Sequence, residues 1–294
     1  MLTDQTTPPV SVAEAFAECR RFALRQGENF TVASWLLPRR LRPHMYSLYA
    51  YCRRVDDLGD EAAGDRLELL HGWEGELRRC FEGSASAPTF VALGETVREF
   101  GMPMEPFLRL IEANRQDQRV KRYETFDELL DYCTYSANPV GHMVLYLFGY
   151  RDAERRRLAD ATCTALQLAN FWRDVSVDLS KGRVYIPLEE MERFGYSEED
   201  LVAGRCNDAF RRLMAFQVLR TRQFFADGIT LIGLVSPRLR YDLKLFTLGG
   251  LSVLSAIERA GYDVLTQRPG IPKTRKLWLG MRAFLPIRVG AAGR

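Results

Sequence analysis

No stretch of eighteen or more apolar residues occurs in this 294-residue chain, so no segment is expected to span a bilayer as a helix. Paired cysteines are missing too. The six present, Cys19, Cys52, Cys80, Cys133, Cys163 and Cys206, are scattered and form no C-x-x-C pair, which argues against a zinc site and a dense disulfide framework. They read as buried thiols of a reducing compartment. Charge of one sign is also lacking: 41 basic and 38 acidic residues leave +3, which gives no general footprint for nucleic acid. Strand alternation is scarce, and there is no G-x-G-x-x-G dinucleotide fingerprint, although nicotinamide can bind without one. The first ten residues carry Asp4 and paired prolines where a secretion signal needs a basic start and an apolar run. These absences predict a cytoplasmic protein whose membrane contact is at most peripheral, on the inner face.

What is present has the period of helices. Apolar residues form 47% of the chain, enough for a sizeable core, and recur at spacings of three and four, as in Ala13, Phe16 and Ala17. Turn signals at 27–29, 38–43, 83–88, 101–106, 149–152, 182–187 and 236–237 divide it into roughly ten helices of ordinary length. The expectation is an all-α single domain over residues 1–294 with a basic tail from about 264. That tail holds Arg268, Lys273, Arg275, Lys276, Arg282, Arg288 and Arg294 without one acid, interleaved with Leu277, Trp278, Leu279, Met281, Phe284 and Leu285. It reads either as an amphipathic surface for an anionic bilayer or as a helix packed on the body with a solvated edge.

Two segments carry an unusual pattern of acids. Residues 48–61, LYAYCRRVDDLGDE, read as helix up to Gly59 and place Asp56 and Asp60 four apart, on one side. Like charges at that spacing repel by roughly 0.2–0.5 kcal/mol even when exposed, so a cation is expected between them. Residues 167–178, QLANFWRDVSVD, repeat the arrangement: Gln167, Asn170, Asp174 and Asp178 form a polar stripe on one expected helix. The other sides carry Leu168, Phe171, Trp172, Val175 and Val177, which predicts a buried helix with an acidic stripe. Either segment alone reads more readily as a solvated acidic face. Together they offer only hard oxygen ligands, which favours Mg²⁺ over zinc or copper. Magnesium binds through a few carboxylates plus substrate phosphates, so a phosphorylated substrate is expected. Arg53 stands one turn before Asp56, Arg173 precedes Asp174, and Lys181 and Arg183 follow the second segment. Their charges suit diphosphate oxygens, or equally structural ion pairs with the aspartates beside them.

The motifs Asp56-Asp57-Leu58-Gly59-Asp60-Glu61 and Asn170-Phe171-Trp172-Arg173-Asp174-Val175-Ser176-Val177-Asp178 resemble the two aspartate-rich signatures of squalene and phytoene synthases. Asn29-Phe30 followed by Leu36-Leu37-Pro38 resembles that family's N-terminal motif, residues 132–141 its central helix, and Lys181-Gly182-Arg183-Val184-Tyr185-Ile186-Pro187 its post-motif loop. The resemblance spans residues 27–187. It implies an isoprenoid (terpenoid) synthase helical bundle in which both acidic helices face a central active-site cavity. It also implies that Asp56, Asp60, Asn170, Asp174 and Asp178 are Mg²⁺ or metal-water ligands. Arg53, Arg173 and Arg183 become diphosphate contacts, with Gln167 near the same site and Asn29 and Phe30 on the substrate. Tyr135 matches a tyrosine that lies beside the reacting carbons in related squalene synthases.

Two departures narrow the subgroup: asparagine at 29, where the family often has serine, and Ser136-Ala137-Asn138-Pro139-Val140-Gly141 in place of a Val-Ala-Gly type of run. This wording is similar to hydroxysqualene synthases of bacterial hopanoid pathways, which act on presqualene diphosphate. Asn138 then holds the water that ends the reaction, or serves only as a turn-forming Asn-Pro that bends the helix. Such a reaction needs a dry aromatic cavity, with Phe30, Tyr49, Tyr135, Tyr146 and Phe171 as wall candidates. Implied partners are an isoprenoid diphosphate substrate, the membrane surface, and neighbouring pathway enzymes that take over the product. Two other readings stand beside this one: head-to-head condensation of prenyl diphosphates, and a non-catalytic helical assembly factor. The second gives no physical reason to keep two repulsive acidic stripes.

Overall fold

The computed structural model describes residues 10–26 and 37–285. Among the described residues there are fifteen helices and no strand. The excess over the expected ten comes from short pieces, because turns such as those at Gly195 (φ 69°) and Gly204 (φ 66°) rest on one left-handed glycine without a nearby proline. The chain forms two compact units, one from the described residues up to Arg115 together with 146–150, the other from 116–145 and 151 onward.

The first unit contains α1 (Val12–Arg25), α2 (Arg42–Asp60), α3 (Arg66–Glu82), α4 (Pro88–Phe100) and most of α5 (Glu105–Arg119). α1 starts in a capping box, Ser11 and Glu14 each satisfying the other's backbone N–H. Its small residues Ala15, Cys19 and Ala23 recur every fourth position and let Tyr46, Ala50 and Ala92 come close. α2 carries the first acidic motif and is pinned just before it by Tyr51. That residue is fully buried, donates its hydroxyl to the Phe107 carbonyl at 2.9 Å, and meets the rings of Phe107 and Phe90 edge-on.

The second unit contains α6 (Phe126–Ser136), α7 (Asn138–Leu147, its last residues excepted), α8 (Ala153–Arg173), α9 (Val175–Ser180), α10 (Leu188–Phe194), α11 (Glu198–Val202), α12 (Asp208–Gly228), α13 (Leu231–Leu234), α14 (Pro237–Arg259) and α15 (Lys273–Arg282). α8 is the axis on which α6, α12 and α14 pack. As its pattern predicts, Leu168, Phe171 and Trp172 are buried, with Val175 just beyond its end. The Trp172 indole N–H donates to Thr221 at 2.8 Å and so fastens α8 to α12. The tail is partly a packed helix: Leu279 and Ala283 are buried, and Tyr241 on α14 donates to the Gly280 carbonyl at 2.9 Å. All six cysteines are free thiols. Among the described residues no helix is long and apolar enough to cross a membrane.

Candidate active site

In the first unit, helix α2 runs through Gly59 to Asp60, where the sequence predicted a stop at the glycine. Gly59 has another purpose. A methyl group there would lie 2.1 Å from Asn114 Oδ1, so its bare Cα is what lets α5 approach α2. The approach gives Asp56 a partner: Asn114 Nδ2 donates to Asp56 Oδ1 at 3.3 Å and to the Leu110 carbonyl at 3.0 Å. Asp56 and Asp60 share one side of the helix. Crowding by protein pushes the Asp56 carboxyl up to about 7; the Asn114 hydrogen bond and Arg53 lower it, and the Asp60 charge adds to the rise. Water still reaches Asp56 and screens part of that penalty. Arg53 lies against Asp57 at 2.8 Å and Glu61 at 3.3 Å, the ion-pair alternative among its two sequence readings.

In the second unit, the acidic stripe predicted on one helix crosses a joint. α8 ends at Arg173, Asp174 (φ −103°, ψ 16°) leaves the helical path, and α9 begins at Val175. At this joint the Asp174 side chain is held by arginines. Arg173 grips it bidentately at 2.8 and 2.6 Å, and adjacent residues on a regular helix do not face each other. Arg268 grips the same carboxylate from the other direction, at 2.7 and 3.0 Å. Burial alone would raise the Asp174 pKa, but the hydrogen bonds from the two arginines outweigh it and hold the group below its usual range. Asp178 and Arg183 line one small recess with Phe171, Val175, Tyr185 and Leu201. Gln167 is half-buried and Asn170 exposed.

The expected central helix 132–141 is also divided, α6 ending at Ser136 and α7 starting at Asn138, because Pro139 cannot continue the ladder. Tyr135 is half-buried at the end of α6. Asn138 is 7% exposed, and its Oδ1 accepts from the Thr164 hydroxyl on α8 at 3.0 Å. One turn along each helix, His142 Nε2 meets Asp160 Oδ1 at 2.6 Å. Between these two rungs Gly141 lets the helices touch, since a methyl there would lie 2.7 Å from Cys163 Sγ.

A family model described as squalene/phytoene synthase matches residues 23–275. The chain belongs to the squalene/phytoene synthase family. The 15-cis-phytoene synthase of Synechococcus elongatus is 34% identical over 281 residues, with 91% of each chain covered. Among solved structures, the squalene synthase HpnC from Alicyclobacillus acidocaldarius is 52% identical, with a TM-score of 0.83 over 87% of this chain and 97% of that one. A dehydrosqualene synthase solved with a ligand is 27% identical at a TM-score of 0.86, covering 93% and 96%. The fold is therefore the all-α isoprenoid-synthase fold, and the chain is a prenyltransferase-like isoprenoid synthase.

Against that membership, the structure places Asp56 with Asp60 in one unit. Asn170, Asp174, Asp178, Arg173 and Arg183 stand together around the end of α8 in the other. Asn29 and Phe30 lie outside the described residues. Of the wall candidates, Phe171 is buried against Tyr185, ring centroids 3.9 Å apart, while Tyr49 and Tyr146 are half-buried. Sequence reasoning missed Asn114 and Arg268. Asn114 is visible only as a polar position on the otherwise apolar α5 face of Phe107, Leu110 and Ile111. Arg268 is 94 residues from Asp174 and looks like any other cation of the tail. Replacing Gly59 with alanine is expected to push Asn114 off Asp56 and to lower stability by about 1–3 kcal/mol in denaturant unfolding. Unfolding and turnover like wild type would show that this close approach is not required.

Proposed function

We propose that this chain releases diphosphate from presqualene diphosphate and that one water captures the rearranged cation, giving hydroxysqualene. One observation carries the diphosphate part: the candidate ligands of both acidic segments are all oxygen donors, with Arg53 one turn before Asp56 and Arg173 next to Asp174, a set suited to Mg²⁺ and a polyanion together. Among the described residues no three His, Cys, Asp or Glu side chains already meet around one point. Magnesium completes its shell with waters and substrate phosphates. Asp56, Asp60, Asn170, Asp174 and Asp178 are the proposed ligands, and the bound ions would supply Lewis-acid stabilisation of the departing diphosphate.

The chain's own groups have definite tasks in this reading. Arg53, Arg173 and Arg183 present positive charge to the leaving group, with Gln167 beside them. Arg173 holds Asp174 in the resting enzyme and turns to phosphate oxygens when substrate arrives. Tyr135 borders the reacting carbons. With the Asn138 oxygen engaged by Thr164, a water would be held by its amide N–H₂. The 52% identity to a squalene synthase, above the 34% shared with the phytoene synthase, supports a squalene-type rather than a phytoene-type carbon skeleton. The phytoene synthases among the relatives favour the second reading, head-to-head condensation. Purified protein with Mg²⁺ and presqualene diphosphate is expected to yield hydroxysqualene and diphosphate, and farnesyl diphosphate alone no product. Condensation products from farnesyl diphosphate would replace this reading with the second. Asp56→Ala and Asp174→Ala should each abolish diphosphate release while leaving the fold intact, and Asn138→Ala should divert product toward alkenes.

We also propose peripheral membrane contact through the tail. Trp278, Met281, Phe284 and Leu285 are 42%, 59%, 68% and 55% exposed in a stretch whose charged residues are all basic. Trp278→Ala with Phe284→Ala is expected to abolish flotation with phosphatidylglycerol vesicles. Equal flotation of wild type and variant would remove the proposal.

A further inference from the structure

The carboxylate of Asp117 has no part in the roles above, yet it is the centre of a buried polar cluster in the second unit. Asp117, on α5, is 8% exposed. Tyr132 on α6 donates its hydroxyl to Oδ2 at 2.9 Å, and Tyr185, in the segment between α9 and α10, donates to Oδ1 at 3.2 Å. Arg183 Nη1 stands 3.6 Å from Oδ2, with both side chains about nine-tenths buried at 8% and 11% exposure. Aromatic rings enclose them: Tyr185 stacks on Phe171 at 3.9 Å and on Tyr123 and Tyr132 at 5.8 and 5.9 Å. The backbone around Arg183 is fastened on both sides. Its own N–H donates to the Asp178 carbonyl, Val184 N–H to that of Lys121, and Leu188 N–H to that of Tyr123, each at 2.9 Å.

Taking an arginine and an aspartate out of water together is unfavourable unless other groups satisfy them, and apolar residues of similar volume usually stabilise a core as well or better. The cluster is therefore poorly explained by stability alone. The contrast with Asp174 is informative. There two arginines grip the carboxylate bidentately at 2.6–3.0 Å, whereas Asp117 accepts from two phenols and has Arg183 Nη1 at 3.6 Å from Oδ2. A carboxylate held this way places fixed negative charge beside the guanidinium. Arg183 in turn lines the recess that contains Asp178.

We propose that Asp117 is the positioning residue for Arg183, its charge fixed by Tyr132 and Tyr185 so that the guanidinium is oriented toward the substrate's diphosphate. The inference rests on the reading of Arg183 as a diphosphate contact. A double-mutant cycle of Asp117→Asn and Arg183→Gln tests it, reading kcat and KM for diphosphate release, inhibition by inorganic diphosphate with Mg²⁺, and thermal unfolding. Asparagine keeps the cluster bonded because phenolic hydroxyls can both donate and accept. Asp117→Asn is expected to raise KM and the diphosphate inhibition constant about tenfold with a smaller change in kcat, and to add less than about twofold on the Arg183→Gln background. Additive losses, or no loss in Asp117→Asn, overturn the inference. Undiminished inhibition in Arg183→Gln overturns the reading beneath it instead. If Asp117→Asn does not fold, Tyr185→Phe takes its place in the cycle, with the same non-additivity expected and additivity again contradicting it.

Discussion

Carboxylates set one turn apart on a helix repel each other, and the answer the protein gives to that repulsion organises the rest of the structure. In the first unit the answer is weak: Asn114 offers Asp56 a neutral N–H, and crowding together with the Asp60 charge leaves Asp56 readier to hold a proton than an ordinary aspartate. In the second unit the answer is strong. Asp174 is gripped by Arg173 and Arg268, whose hydrogen bonds lower its pKa. The two acidic sets thus differ electrostatically: Asp56 is pushed toward protonation and Asp174 is held ionised. In the reading proposed above, cations would relieve the first set and phosphate oxygens would engage the guanidinium groups of the second.

Packing holds these states in place. The first set depends on a glycine: without a side chain at 59, α5 can bring Asn114 against α2, while Tyr51 and its aromatic neighbours fix the helix just before the motif. The second depends on an interruption. By leaving the helix at Asp174, the chain allows two consecutive residues to face one another, which a regular helix forbids. Trp172, fully buried and bonded to Thr221, anchors α8 just short of that break.

Much of this was legible in the sequence, for physical reasons that also explain what was not. The acidic pairs were legible because helical geometry turns a spacing of four into a shared side. The burial of Leu168, Phe171 and Trp172 was legible because an apolar helix must be covered. The joint at Asp174 was hidden, as was the arginine 94 residues away that holds its side chain. The purpose of Gly59 was hidden for the same reason: a glycine in a helix reads as a terminator until the neighbour it admits is seen. The cluster on Asp117 draws Tyr132, Arg183 and Tyr185 from separate segments, and no local pattern joins them. The Asn-Pro at 138–139, by contrast, announced the division between α6 and α7 through local backbone chemistry alone.

The most direct measurement of the central claim is a calorimetric titration of Mg²⁺ into the protein with and without an unreactive thiodiphosphate analogue of the substrate. Wild-type protein is predicted to bind Mg²⁺ tightly only with the analogue present, and Asp56→Asn and Asp174→Asn are each predicted to lose that coupling. Retention of full analogue-dependent Mg²⁺ binding in either variant would contradict the account, because the acidic set it carries would then have no share in holding the metal and the diphosphate.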